Sequence, residues 1–178
     1  NLDHEVKDQY NFGIIATDES GNESASLAVT INLNDVDDTA PIITSNETAV
    51  AIDENSGAGQ VIYTATADDS ADVSDGFTFS LAPGSDGALT IDADTGAVTL
   101  TTDPDHEVQS QYSFAVIATD AAGNTSDAKS VTLDINDLDD SAPIITSSDS
   151  ATSVDEGTGA GQVVYTVAAD DSEDLSGS

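Results

Sequence analysis

The sequence predicts an all-β protein built as a string of antiparallel β-sandwiches, and three observations carry that prediction. The apolar residues recur with a period of two rather than 3.6, as in half-buried strands. Turn signals such as Pro83-Gly84-Ser85, Asp94-Thr95-Gly96 and Gly123-Asn124 break the chain at short intervals. The chain also repeats itself at an offset of 102 positions, without a gap. Asp3-His4-Glu5 returns as Asp105-His106-Glu107, and Ala16-Thr17-Asp18 as Ala118-Thr119-Asp120. Asp35 to Pro41 returns as Asp137 to Pro143, and Gly57 to Val61 as Gly159 to Val163. More than half of the overlapping positions are identical. A period of this length fits whole domains in tandem rather than a solenoid unit.

One complete unit is expected over residues 39–140, preceded by the back part of a repeat (1–38) and followed by the front part of another (141–178). Seven strands are expected in the complete unit: Ile43–Ile52, Gln60–Ala67, Gly76–Leu81, Ala88–Ile91, Ala97–Leu100, Gln111–Ala118 and Lys129–Ile135. Alternation places Tyr112, Phe114, Val116 and Ala118 on one face, and Val131, Leu133 and Ile135 likewise. It also groups Val61 with Tyr63 and Ala65, and Phe77 with Phe79 and Leu81. Seven short strands in about 100 residues without a helical stretch define a seven-stranded Ig-like antiparallel sandwich. Neither flanking part has enough strands to close a core, so the parent chain is expected to continue past both ends or to be completed by another copy.

Composition narrows the function. Thirty-five Asp and Glu face two lysines and no arginine among 178 residues, a formal charge of −33. Such a chain repels phosphate backbones and anionic lipid, which excludes nucleic acid as a partner. No apolar stretch long enough to insert in a membrane occurs in this segment. The absence of cysteine excludes disulfides, thiolate metal sites and cysteine nucleophiles. The chain begins inside a repeat and without methionine, so any targeting segment is expected elsewhere in a longer protein.

The acids collect at strand ends. If the strands alternate in direction, Asp53-Glu54, Asp105 to Glu107 and Asp137 to Asp140 fall at the C-terminal pole of the unit. Asp68-Asp69 and Asp120 fall at its N-terminal pole. In a tandem array these poles abut. Asp3, Glu5 and Asp35 to Asp38 would face Asp68 and Asp120 at the first junction, and Glu54, Asp105, Glu107 and Asp137 to Asp140 would face Asp170 at the second. Carboxylates at close range push one another toward protonation unless a cation offsets them. A set rich in oxygen and nearly free of imidazole selects Ca²⁺ over zinc or copper, with Mg²⁺ disfavoured by its demand for a rigid octahedron.

These residues resemble the cadherin repeat. Asp35-Val36-Asp37-Asp38-Thr39-Ala40-Pro41 looks like the family's Asp-x-Asn-Asp-Asn-x-Pro linker, and Asp3-His4-Glu5 and Asp105-His106-Glu107 look like its Asp-Arg-Glu motif. Asp53-Glu54-Asn55 is similar to the Glu-Asn motif, Ala118-Thr119-Asp120 to the acidic strand end, and Ile91 through Leu100 to the family's Ile-Asp…Thr-Gly…Val…Leu hairpin. The resemblance implies about three calcium ions at each junction. It makes Asp3, Glu5, Asp35 and Asp38 side-chain ligands, with Thr39 offering a carbonyl and Asp37 standing where the family has Asn. Asp68 and Asp120 would complete that site. Glu54, Asp105, Glu107, Asp137, Asp139, Asp140, Ser141 and Asp170 form the second set. The sequence departs from the family at Thr39 and Ser141, which replace Asn, at Asp155-Glu156-Gly157, which lacks the Asn, and at Asp68-Asp69-Ser70, whose acidic pair is not clean. Acidic, cysteine-free repeats look most like those of bacterial surface adhesins.

Other motifs read as structure. Asp92 to Gly96 lacks the bidentate Glu of a calcium-binding helix–loop–helix and is expected to be a hairpin turn. Asp18 to Asn22 reads first as a turn, with Asp18 alone kept as a candidate ligand. His4 and His106 stand where the family has Arg and are expected on the rim of the acidic groups. No nucleophile elbow or phosphate loop occurs, so no catalytic residue is assigned. Four Tyr and four Phe, mostly inward, leave no aromatic platform for sugar. The expected role is a calcium-stiffened stalk whose partners are neighbouring repeats of the same chain. The alternative is direct contact with another copy, another cell-surface protein or a polysaccharide.

Overall fold

The computed structural model describes residues 2–172; residue 1 and residues 173–178, at the outer ends of the two expected partial repeats, lie outside the described residues. The leading part is a hairpin of β1 (Gln9–Ile14) against β2 (Leu27–Asn32). Nine strands follow in the central unit: β3 (Ile42–Ile43), β4 (Ile52–Asp53), β5 (Gln60–Thr64), β6 (Ala67–Asp68), β7 (Phe77–Leu81), β8 (Leu89–Ile91), β9 (Ala97–Leu100), β10 (Gln111–Asp120) and β11 (Lys129–Asn136). The trailing part pairs β12 (Ile144–Ile145) with β13 (Ala169–Asp170). No helix among the described residues is long and apolar enough to cross a membrane.

Two layers enclose the core. One sheet has the order β4-β11-β10-β7; the facing layer holds β5-β9-β8 and the short pair β3-β6. Val98, Leu100, Val116, Ala118, Val131 and Leu133 are all buried between them. Tyr63 and Phe114 meet edge-on at 5.5 Å, the arrangement that ring quadrupoles favour. The seven expected strands are all present, although Gln60–Ala67 is divided at residues 65–66 into β5 and β6, which pair in different sheets, and two further corrections apply.

The first expected strand, Ile43–Ile52, is not continuous. Its start pairs antiparallel with β6, whereas its end pairs in parallel with β11, joining Ile52 to Ile135. Between them Ala49 N–H donates to Thr132 O at 2.8 Å and Thr132 N–H donates to Glu47 O at 3.2 Å. By crossing between layers the segment turns Ile43, Ala49 and Ile52 toward the core and closes its side. The sandwich is therefore antiparallel except at this edge. The second correction is at β5, where the register against β9 shifts between Val61 and Tyr63. The irregularity turns Val61 outward, 61% exposed, and buries Ile62 beside Tyr63, so strict alternation fails there.

Candidate metal centres

Each Asp-His-Glu motif forms a tight turn that its own first carboxylate holds. Asp3 Oδ1 accepts the Val6 amide at 2.9 Å, and Asp105 Oδ1 accepts the Val108 amide at 2.9 Å. The turn projects the Glu beside the linker. At the first junction, carboxylate oxygens of Glu5, Asp38 and Asp72 lie within 4.8 Å of one another, as do ligand atoms of His4, Glu5 and Asp35. His4, Glu5, Asp35 and Asp72 border an open cleft of about 550 Å³ between the leading part and the loop before β7. The linker is fastened to that loop: Asp38 N–H donates to Asp72 Oδ2 at 2.9 Å.

The electrostatics follow from the crowding. At Glu5 a backbone hydrogen bond favours the charge, but lost hydration, the Asp35 carboxyl and the Asp72 charge outweigh it and raise the pKa. Lost hydration raises Asp37 as well, with the charges of Asp120, Asp69 and Asp72 adding to the shift. Asp72 goes the other way, because the Asp38 and Val73 amides stabilise its anion, helped by Asp35 and the Thr39 side chain. Asp120 is only 6% exposed. Lost hydration works against its anion, but the side-chain amide of Asn124 and the Asn124 and Gly123 N–H groups prevail and lower its pKa.

The second junction repeats the pattern. Oxygens of Glu54, Asp105 and Glu107 lie within 4.8 Å, and so do ligand atoms of His106, Glu107 and Asp137. Glu54 is 1% exposed and is held by two amides, His106 N–H at 2.7 Å and Leu138 N–H at 2.6 Å, which lower its pKa. Glu107 is raised, first by lost hydration and then by the charges of Glu54 and Asp137. The Asn55 side-chain amide donates to Asp140, from a backbone with φ of 56° that Asn tolerates. Asp139 and Ser141 are exposed linker residues.

The close groups hold Glu5, Asp35 and Asp38 at the first joint and Glu54, Asp105, Glu107 and Asp137 at the second, whereas Asp3, Asp37, Asp68, Asp120, Asp139, Asp140 and Asp170 join none of them among the described residues. Asp68 ends β6 opposite Ile42 and spends Oδ1 on the Ser70 amide at 3.1 Å. Among the described residues it joins none of the ligand groups; Asp72, four positions on, takes that place. Asp170 sits at β13 as Asp68 does at β6, with Ser172 N–H donating to its Oδ1 at 3.2 Å. The counterpart of Asp72 in the next repeat is Asp174, outside the described residues. The histidines lie inside the groups rather than on their rim, His4 Nδ1 being 3.3 Å from Asp35 Oδ1 and His106 Nδ1 3.6 Å from Asp137 Oδ2. Asp92 and Asp18 are consumed by their own turns. Asp92 Oδ1 accepts from Thr95 N–H and Thr95 Oγ1, and Asp18 Oδ1 accepts the Ser20 and Asn22 amides.

The donor set fits a hard cation. Asp35 Oδ1 is buried and accepts no hydrogen bond from the described residues, with His4 Nδ1 3.3 Å away and the Glu5 carboxylate in the same group. Oxygen donors of this kind suit calcium.

An Ig-like sandwich flanked by further repeat segments, with carboxylates grouped at both poles, defines a tandem β-sandwich module. The chain belongs to the cadherin family: the family model of the cadherin domain matches residues 48–136. Human protocadherin-1 is 34% identical over 143 residues, which covers 78% of this chain and 13% of that protein. The mouse cadherin EGF LAG seven-pass G-type receptor 2 is 29% identical over 176 residues, 97% of this chain and 6% of that protein. Among solved structures, the EC22-24 segment of mouse cadherin-23 superposes with a TM-score of 0.70 at 27% identity, covering 96% of this chain and 56% of that one. The chain thus spans a small fraction of these curated relatives. Cadherin domains are adhesion modules and not enzymes.

Proposed function

We propose that this chain is a spacer segment of a large extracellular adhesin, in which calcium at each joint makes a stiff rod from a string of sandwiches. The observation that supports this is the convergence of Glu5, from one repeat, with Asp38 of the linker and Asp72 of the next repeat. At the first joint Asp3, Glu5, Asp35, Asp38 and Asp72 would hold the ion group, with Asp37, Asp120 and the Thr39 carbonyl adjoining. At the second, Glu54, Asp105, Glu107, Asp137, Asp139, Asp140 and Ser141 would do so, with Asp170 and its neighbours from the following unit. The bound cation supplies the positive charge that offsets the mutual repulsion of these oxygens. The remaining work belongs to the chain. Amides of His106 and Leu138 orient Glu54, turns fix Asp3 and Asp105, and residues 39–140 act as the rigid unit between joints.

Affinity is expected in the weak extracellular range, roughly 10⁻⁴ to 10⁻³ M. Near-identical repeats suit length extension, and the acidic, cysteine-free composition favours a bacterial surface and a role in biofilm attachment, with the adhesive ligand bound elsewhere in the parent protein. Small-angle scattering of the whole chain in millimolar calcium and in chelator tests the reading. A larger, narrower distribution of dimensions with calcium is expected, and identical profiles would count against it. Self-association, or retention of a polysaccharide, in calcium would favour direct adhesion by the repeat instead.

A further inference from the structure

We propose that Asn124 is a positioning residue of the first joint, whose side-chain amide docks the linker on the following repeat before any cation binds. Asn124 closes the turn after β10. Asp120 Oδ1 accepts the amides of Gly123 at 2.7 Å and Asn124 at 2.8 Å, and Asp120 N–H donates to Asn124 O at 3.1 Å. The side-chain NH₂ has two hydrogens to place. One goes to Asp120 Oδ2 at 2.8 Å; the other points across the joint to the linker, with Asp37 O at 3.2 Å and Asp37 Oδ1 at 3.4 Å. The next linker residue is fastened to a different loop of the same repeat, through Asp38 N–H to Asp72 Oδ2. Two consecutive linker residues are therefore held by direct hydrogen bonds to two separate loops.

The chemistry calls for an amide. A carboxylate at position 124 would stand against Asp120 and Asp37 with no proton to donate, and a hydroxyl is too short to reach both. Asp18 and Asn22 build the same clasp in the preceding repeat, with Asn22 Nδ2 donating to Asp18 Oδ2 at 2.8 Å. Docking by Asn124 sets where Asp37 and Asp38 lie, so less order remains to be imposed when the joint is filled. The docking itself does not depend on the calcium reading; its effect on affinity rests on it.

The test uses the full chain and two readouts. In chelator, hydrogen exchange of the Asp38 amide by NMR should be slowed in the native sequence and run about three- to tenfold faster in Asn124→Ala, the range one hydrogen bond provides. Core amides such as Val116 should stay protected in both. Asn22→Ala, which removes the same clasp from the turn between β1 and β2, should leave Asp38 exchange unchanged. In calorimetry, calcium should bind Asn124→Ala about three- to tenfold more weakly. Unchanged Asp38 exchange in Asn124→Ala, an equal change in Asn22→Ala, or unaltered calcium affinity would each overturn the proposal. If no form of the chain binds calcium, it is the calcium reading that fails, and the exchange data in chelator still decide the docking. Should the alanine variant not fold, Asn124→Ser keeps a polar turn residue that cannot reach Asp37 and is read the same way.

Discussion

The substitution Gly96→Ala isolates a steric constraint that the hairpin between β8 and β9 imposes on the core. Gly96 has φ of 69°, and a methyl group built there would lie 2.5 Å from Ala65 O and 3.0 Å from Cδ2 and Cε2 of Phe79. The backbone cannot retreat easily. Gly96 O accepts the Ala65 amide at 2.8 Å, and Gly96 N–H donates to Asp92 O at 2.9 Å, so movement breaks the link between β9 and β5. A left-handed conformation costs a non-glycine residue about 1–2 kcal/mol. Forcing a group into a filled site adds about 1–3 kcal/mol. The stiffer unfolded chain returns about 0.4–1 kcal/mol. The net expectation is a loss of about 3 kcal/mol, the middle of the range these three effects span. Gly84→Ala is the internal reference. It has φ of 93° but nothing within 4 Å of the added carbon, so it should lose about 1 kcal/mol or less. Urea unfolding in chelator separates the two. With a slope of about 2 kcal/mol per molar, the midpoint should fall by about 1–2 M for Gly96→Ala and by half a molar or less, roughly, for Gly84→Ala. Equal midpoints for the two variants would refute the reasoning, since they share the conformational cost and differ in the clash.

Two further outcomes are expected at the carboxylates. Asp72→Asn should weaken calcium binding about tenfold or more in calorimetry, whereas Asp68→Asn should leave it nearly unchanged, and the reverse order would return Asp68 to the joint. Asp92 is lowered below its ordinary value of 3.8 by Thr95 N–H and Thr95 Oγ1, so its stabilisation is present above that pH and lost as acid protonates the folded form. Asp92→Asn should therefore flatten the decline in stability below about pH 4 when unfolding is followed as a function of pH, and an unchanged acid limb would show that the turn draws nothing from the charge.

Much of this architecture was legible in the residues, because a period of two and a repeat of 102 positions constrain strands and poles at once. Parity placed Glu54 with Asp105 and Glu107 although they are far apart in sequence, and the structure brings their oxygens together. What escaped were features set by loop shape and sheet crossing. Between β6 and β7 three acids follow one another within Asp68 to Asp72. Which of them meets the linker depends on Asp68 capping Ser70, Ser74 donating to Asp69, and Gly76 turning at φ of 98°. No periodicity encodes that choice. The outward turn of Val61 comes from a register shift, which alternation cannot anticipate. Asn124 did leave a signal, since Asp-x-x-Gly-Asn occurs at both Asp18 and Asp120, but the linker contact needs three dimensions.

The layer-crossing first strand has a mechanical consequence. Because the end of that segment runs alongside β11, the chain enters the unit at one pole and leaves at the other through neighbours that point the same way. Tension along a tandem array would slide these two past each other. Ala49 to Thr132, Thr132 to Glu47 and Glu54 to Asn136 would then be loaded together in shear instead of opening one by one. In a pulled array each sandwich would hold its two ends together as a clamp.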